Sequence, residues 1–124
     1  MARRIRRAAA LLLIVAGLTG ALGVPVASAH VTIVKTTPSK SAKTTQKFVS
    51  VLFSGPIRSG TMKVFGPQGE KVSKGTGGRD PRNVDQLLVG MKSGLTPGAY
   101  TAKATWIASD GHHQEATFGF TLKR

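Results

Sequence analysis

Two alternating segments joined by a turn, within residues 98–122, constrain the fold of this chain more than any other feature. Apolar and polar side chains alternate from Tyr100 to Trp106 and again over residues 118–122. A period of two places the apolar side chains on one face of a β-strand. Asp110-Gly111 lies between the two segments and indicates a β-hairpin, because glycine accepts the positive φ that a tight turn requires.

The rest of the sequence predicts further short strands and no helix. β-prone runs at residues 31–35, 48–53, 62–65 and 86–89 are separated by segments that contain proline or glycine. The glycine-rich stretch at residues 75–78 is expected to form a flexible loop. Several short strands with regular turn signals predict an all-β fold, an immunoglobulin-like Greek-key β-sandwich or barrel of about seven strands.

The beginning of the chain has the order of parts that is typical of a cleaved signal peptide. A basic segment with four arginines precedes an apolar, small-residue stretch and then Ala27-Ser28-Ala29, an A-x-A cleavage site. We therefore predict a signal peptide over residues 1–29, an exported protein in the periplasm or cell envelope, and one mature domain over residues 30–124. An uncleaved anchor is the alternative, but the apolar stretch is short and rich in glycine and alanine for a spanning helix.

The predicted mature part is small, basic and free of cysteine. Removal of 29 of the 124 residues leaves 95, enough for one modest core that folds without disulfides. It keeps 14 Lys and Arg (18 less the four leader arginines) against five Asp and Glu, about +9. These basic residues are spread singly and are not interleaved with aromatics. We therefore expect a solvated surface, a monomer, no nucleic-acid partner and no membrane span in the mature form.

Cleavage after Ala29 would leave His30 as the first residue, where a histidine offers both its α-amine and an imidazole nitrogen to one metal ion. Two nitrogen donors suit copper(II) or nickel(II), which favour tetragonal sites. Asp110 and His112 flank the turn glycine, and a turn directs side chains to one side, so the two could reach a common point. If the first strand brings His30 to that end, three nitrogens and one oxygen match the tetragonal preference of copper(II). His113 is a competing ligand, although an extended strand would direct it away from His112.

Other interpretations of these residues stay open at this stage. Taken alone, Asp110-Gly111 is a hairpin turn and the histidines are surface residues, which would leave a non-metal interaction or adhesion module. An N-terminal histidine and a second histidine also hold the copper of lytic polysaccharide monooxygenases, but Asp110 would tend to fill the position that oxygen needs. The sequence has no Gly-x-Ser-x-Gly and no His-Glu-x-x-His motif, so we predict a binding protein and not an enzyme.

The mature sequence resembles the CopC family of exported copper-binding proteins over its whole length. The motifs that carry the resemblance are His30, Thr36-Thr37-Pro38, Phe53-Ser54-Gly55-Pro56, Leu95-Thr96-Pro97-Gly98-Ala99-Tyr100, Ser109-Asp110-Gly111-His112 and Phe118-x-Phe120. The resemblance implies a seven-stranded Greek-key barrel or sandwich and one copper(II) ion bound by His30, Asp110 and His112. It also implies a role in copper homeostasis or resistance, with a membrane copper transporter as a candidate delivery partner.

The sequence departs from the family pattern in its methionines and near its last histidine. Some members of the family carry a methionine-rich loop that binds copper(I). Here Met62 and Met91 are the only methionines after residue 29, and they lie far apart, so a copper(I) thioether site is not expected. His113 stands at a position where the family commonly has proline.

Overall fold

The computed structural model describes residues 31–124, and the predicted signal peptide and His30 lie outside the described residues. In chain order the strands are β1 (Ile33–Thr37), β2 (Ser41–Lys43), β3 (Phe48–Phe53), β4 (Ile57–Phe65), β5 (Ser73–Asp80), β6 (Asn83–Met91), β7 (Gly98–Ala108) and β8 (His113–Lys123). Within this part of the chain no helix has the length and hydrophobicity needed to cross a membrane.

The strands form two four-stranded sheets that enclose the core. One sheet has the order β1-β3-β6-β5, and the other has the order β2-β8-β7-β4. Neighbouring strands are antiparallel except β2, which runs parallel to β8. The all-β sandwich predicted from the sequence is confirmed, with eight strands in place of about seven. Strand β2 is only three residues long, too short to reveal itself by an alternating pattern.

The core lies between the sheets and is built by the alternating faces of the strands. The side chains predicted to share one face of β7, from Tyr100 to Trp106, are all buried. The Tyr100 ring stacks on Phe120 with centroids 5.7 Å apart, and its hydroxyl donates to the Thr96 carbonyl at 2.6 Å. Because apolar side chains leave water on this inner face, the period of two in the sequence sets which face of each strand is buried.

The glycine-rich stretch at residues 75–78 is part of strand β5, and its prediction as a flexible loop was wrong. Strand β5 pairs with β6 on both sides of these glycines, with a register shift between Lys74 and Gly78. Gly75 and Gly77 have φ values of 61° and 65°, and a Cβ on Gly77 would lie 2.4 Å from the Leu88 carbonyl oxygen. The glycines therefore allow a bulge in an edge strand, a feature that composition alone does not separate from a loop.

The two ends of the sandwich gather different segments of the chain. The hairpin end is defined by the β7–β8 turn together with residues 31–32, 53–58 and 79–85. The lysine end is defined by residues 43–48, 66–74, 90–97 and 123. Strand pairing fixes these groupings, because Ile57 pairs with Ala108 at the hairpin end and Phe48 pairs with Gly90 at the lysine end.

Candidate metal site at the hairpin end

The turn between β7 and β8 is held by two backbone hydrogen bonds. The Gly111 N–H donates to the Ala108 carbonyl, and the Ala108 N–H donates to the His112 carbonyl, each at 2.9 Å. Gly111 has a φ of 91°, which residues with a Cβ rarely adopt. The Ile107–His113 pair is the last rung of the ladder before the turn. The hairpin predicted from Asp110-Gly111 is therefore confirmed.

Asp110 and His112 meet on this turn. Asp110 Oδ1 accepts a hydrogen bond from the His112 backbone N–H at 3.0 Å, and Asp110 Oδ2 contacts His112 Nδ1. The His112 side chain is 66% exposed and the Asp110 side chain 20% exposed. The structure thus brings together the carboxylate and the imidazole that the spacing placed on one turn, with an oxygen and a nitrogen donor at the same point near solvent.

His113 belongs to a different surface. It is the first residue of β8 and lies opposite Ile107 in the ladder. Its exposed side chain lines a shallow cleft of about 230 Å³ with Ser59, Thr61 and Thr105 on the outer face of the β2-β8-β7-β4 sheet. His112 lies in the turn and His113 in the strand, so adjacent histidines have different surroundings.

Two side-chain hydrogen bonds tie the start of the described chain to the hairpin. The Trp106 Nε1–H donates to Gln114 Oε1 at 3.3 Å, and Gln114 Nε2 donates to the Val31 carbonyl at 3.4 Å. Trp106 and Gln114 are paired one rung below Ile107–His113. The residue that follows His30 is therefore fixed next to the strands that carry the turn.

Residues 31 and 32 form the N-terminal segment of the described chain. The other side of this N-terminal segment is held by the β3–β4 connection. The Thr32 N–H donates to Ser54 Oγ at 2.9 Å, and the Ser54 N–H donates to the Thr32 carbonyl at 2.8 Å. The Val31 side chain is 7% exposed and belongs to the core, and a Cβ on Gly55 would lie 3.5 Å from Val31 Cγ1. Residues 31 and 32 are thus fixed in direction by packing and by hydrogen bonds on two sides.

The Asp110–His112 pair forms only part of the predicted ligand set. Among residues 31–124, no three or more His, Cys, Asp or Glu side chains are grouped so as to hold a metal ion. His30 lies outside the described residues, so its ligation stays a prediction. Met62 and Met91 are buried in the core, at 0% and 4% exposure.

A family model described as the CopC domain matches residues 33–123 of this chain. The chain belongs to the CopC family. The matched range runs from the start of β1 to the end of β8, so it includes the whole sandwich and the Asp110–His112 turn.

The chain is also similar in sequence or fold to individual known proteins. Protein YobA of Escherichia coli strain K12 is 28% identical over 126 aligned positions, which cover 98% of this chain and 97% of the relative. The crystal structure of CopC from Methylosinus trichosporium OB3b aligns with a TM-score of 0.63 at 24% identity, over 76% of this chain and 94% of that one. PcoC, a methionine-rich copper resistance protein from Escherichia coli, aligns with a TM-score of 0.60 at 18% identity, over 76% and 99%. At these identities the solved structures show a shared fold.

Sequence reasoning on this CopC domain did not find Gln114 or Ser54 as residues that hold the N-terminal segment. Gln114 pairs with the buried Trp106, and a polar residue opposite a buried tryptophan was the available signal, because a buried indole N–H usually needs an acceptor. No sequence pattern indicated the role of Ser54, because its contact with Thr32 depends on how the chain is placed just before β1.

Proposed function

We propose that this protein is an exported copper(II) carrier that binds one ion through the α-amine and imidazole of His30, the Asp110 carboxylate and the His112 imidazole. The observation that carries the proposal is the fixed position of Val31. Because Gln114 holds the Val31 carbonyl beside the hairpin, the described chain begins at the end that carries Asp110 and His112. Membership of the CopC family supports the same function.

The donor chemistry at the turn suits copper(II). The contact between Asp110 Oδ2 and His112 Nδ1 brings an oxygen and a nitrogen donor to one point, where a metal ion would replace the direct contact between them. The amine and imidazole of His30 would add two nitrogens. Three nitrogens and one oxygen match the tetragonal geometry that copper(II) prefers. Arg58 Nη1 lies 3.7 Å from the position of a Cβ on Gly111, which places a guanidinium beside the turn.

We propose binding and transfer of copper, not catalysis, as the role of this site. A copper oxidase needs an open coordination position for oxygen, and in the proposed ligand set the Asp110 carboxylate would occupy one. The proposed setting is the periplasm or cell envelope after cleavage of residues 1–29, with the protein acting as a monomer that passes copper to a membrane copper transporter. PcoC is described as a copper resistance protein, and a role in copper homeostasis follows by similarity.

A fluorescence titration tests this function directly, because Trp106 lies on the strand that leads into the turn and is hydrogen-bonded to Gln114. Copper(II) added to the chain that begins at His30 should quench the tryptophan and saturate at one equivalent, whereas zinc should quench far less. Imidazole and amine donors must lose protons to bind copper, so saturation should need much more metal below about pH 6.5. Quenching without saturation, or binding that is independent of pH, would contradict the proposed ligands.

A further inference from the structure

Lysines that are scattered in the sequence meet at the lysine end of the sandwich. Backbone hydrogen bonds and strand pairing draw their segments together: Met91 N–H donates to the Lys47 carbonyl at 2.8 Å, Lys43 pairs with Lys123, and Lys92 Nζ donates to the Lys71 carbonyl at 3.2 Å. With Lys74, six exposed lysines share this end. Basic residues that are isolated from one another in the sequence therefore form a concentrated positive surface in the folded protein.

Phe48 lies at the same end and is 52% exposed. It pairs with Gly90, and the Lys74 side chain passes close to Gly90, since a Cβ there would lie 3.7 Å from Lys74 Cδ. Phe48, Gly90, Lys47, Lys74 and Lys92 line one open groove of about 520 Å³. An exposed aromatic ring thus shares one groove with three lysines from three different strands and loops.

Little negative charge offsets this surface. Among residues 31–124 no lysine or arginine forms a salt bridge with a carboxylate, and the contact between His112 and Asp110 lies at the opposite end. Glu70 is the carboxylate of the lysine end, and its Oε1 folds back over its own turn, where it accepts from the Gln68 N–H at 3.4 Å. The lysines therefore present net positive charge around an apolar centre.

We propose that the lysine end docks on the surface of an anionic phospholipid bilayer, with Phe48 entering the headgroup region and Lys47, Lys74 and Lys92 contacting lipid phosphates. Peripheral proteins commonly combine basic side chains with an exposed aromatic ring in this way. Each lysine near an anionic leaflet adds a small, independent attraction, and several together give useful binding. The proposal does not depend on copper, because its residues lie at the end away from Asp110 and His112.

The composition of the surface favours a bilayer over an acidic protein or a nucleic acid. Apart from Arg124, which follows Lys123, the cations of this end are lysines. Lysine is depleted in protein–protein interfaces, whereas arginine is enriched there, and Arg58, Arg79 and Arg82 lie at the hairpin end. A single exposed ring offers no stacked series of bases, which single-stranded nucleic acid would need. Lysines on separate strands and loops suit a diffuse layer of charged headgroups.

Vesicle sedimentation tests the proposal with the chain that begins at His30, which contains the entire core within residues 31–124. We expect binding to vesicles of phosphatidylcholine mixed with phosphatidylglycerol and none to pure phosphatidylcholine. Salt at about 1 M should release the protein from the anionic vesicles, because the electrostatic screening length then falls to about 3 Å. Equal binding to the two vesicle types would overturn the proposal.

Two matched triple variants separate position from net charge. Lys47→Gln with Lys74→Gln and Lys92→Gln should weaken binding to anionic vesicles on the order of 100-fold, from the loss of three lysine contacts. The control changes three exposed lysines outside the groove, Lys35→Gln, Lys63→Gln and Lys103→Gln, and removes the same charge; it should cost less than about fivefold. A control variant as weak as the test variant would overturn the assignment to this end.

Further variants and acidic macromolecules test which ligand binds the lysine end and control for misfolding of the variants. Replacing Lys47, Lys74 and Lys92 by arginine keeps the charge and should keep vesicle binding. Phe48→Ser should weaken binding by about tenfold, because the apolar ring no longer enters the headgroup region. Loss of binding in the arginine variant would contradict the charge argument. Binding to polyglutamate or duplex DNA as tight as to anionic vesicles would show an acidic macromolecule as the occupant and overturn the bilayer.

Discussion

The two ends of this sandwich both carry several cations, but they hold them in different ways. At the hairpin end Arg58, Arg79 and Arg82 are matched in number by Asp80, Asp85 and Asp110. Hydrogen bonds fix part of this set: Arg79 Nη1 donates to the Ile57 carbonyl at 3.1 Å, and Asp80 Oδ1 accepts from the Arg82 N–H at 2.9 Å. The lysine end has six exposed lysines and one carboxylate, Glu70, and three of the lysines line a groove with Phe48.

This difference suits the two proposed kinds of recognition. A single metal ion needs donors held at fixed positions, which is what the bonded turn and the tethered N-terminal segment at the hairpin end supply. A charged surface without defined geometry needs many weak contacts on flexible side chains, which lysines on loops supply. The strands separate the two ends, so each can be altered without the other.

The largest expected effect comes from blocking the N-terminus at the hairpin end. One extra methionine before His30 converts the α-amine to an amide and moves it away from the metal. We expect copper(II) affinity to fall by more than about 100-fold, since loss of a direct chelate should exceed the 10–100-fold effect of losing an outer partner. Competition titration against a copper chelator measures the change. Removal of the extra residue should restore binding, and equal affinity of the two forms would rule out the N-terminal chelate.

The adjacent histidines provide the next test, because one lies in the turn and the other in the strand. His112→Ala removes the imidazole that contacts Asp110 and should lower copper affinity at least about tenfold, or about 1.4 kcal/mol. His113→Ala is the matched control and should be nearly silent, since that side chain lines the cleft on the outer sheet face. The copper(II) absorption spectrum gives the readout. A spectrum that is lost with His113→Ala and kept with His112→Ala would reverse the assignment.

The features that the sequence predicted are those that depend on near neighbours. Asp110, Gly111 and His112 are adjacent, so turn chemistry was enough to place them together, and the period of two was enough to identify the buried face of β7. The Gln114–Val31 hydrogen bond spans 83 positions and depends on how β1 packs, which no local pattern contains. The same reason applies to the bulge in β5 and to the lysine end, where pairing between distant strands decides the outcome.

Weakening the tether of the N-terminal segment should give a smaller loss than removing a ligand. Gln114→Glu keeps an oxygen to accept from Trp106 Nε1 but replaces the amide that donates to the Val31 carbonyl. We expect copper affinity to fall by a few-fold to about tenfold, because His30 is then less well positioned. Gln46→Glu makes the same change at the lysine end, where Gln46 Nε2 donates to the Phe48 carbonyl at 2.7 Å, and should leave affinity unchanged. Equal losses in both variants would contradict the tether, since an added negative charge by itself favours the binding of a cation.

The smallest expected effect is that of the lysine end on copper. Strand β7 has 11 residues, which at about 3.3 Å per residue separates the two ends by about 35 Å. The screening length is about 10 Å at 0.1 M salt, so Lys47→Gln with Lys74→Gln and Lys92→Gln should change copper affinity by less than about twofold. By reciprocity, copper loading should then leave vesicle binding unchanged. A change of more than about fivefold in either measurement would show that the two ends are coupled, and that docking at one end regulates the other.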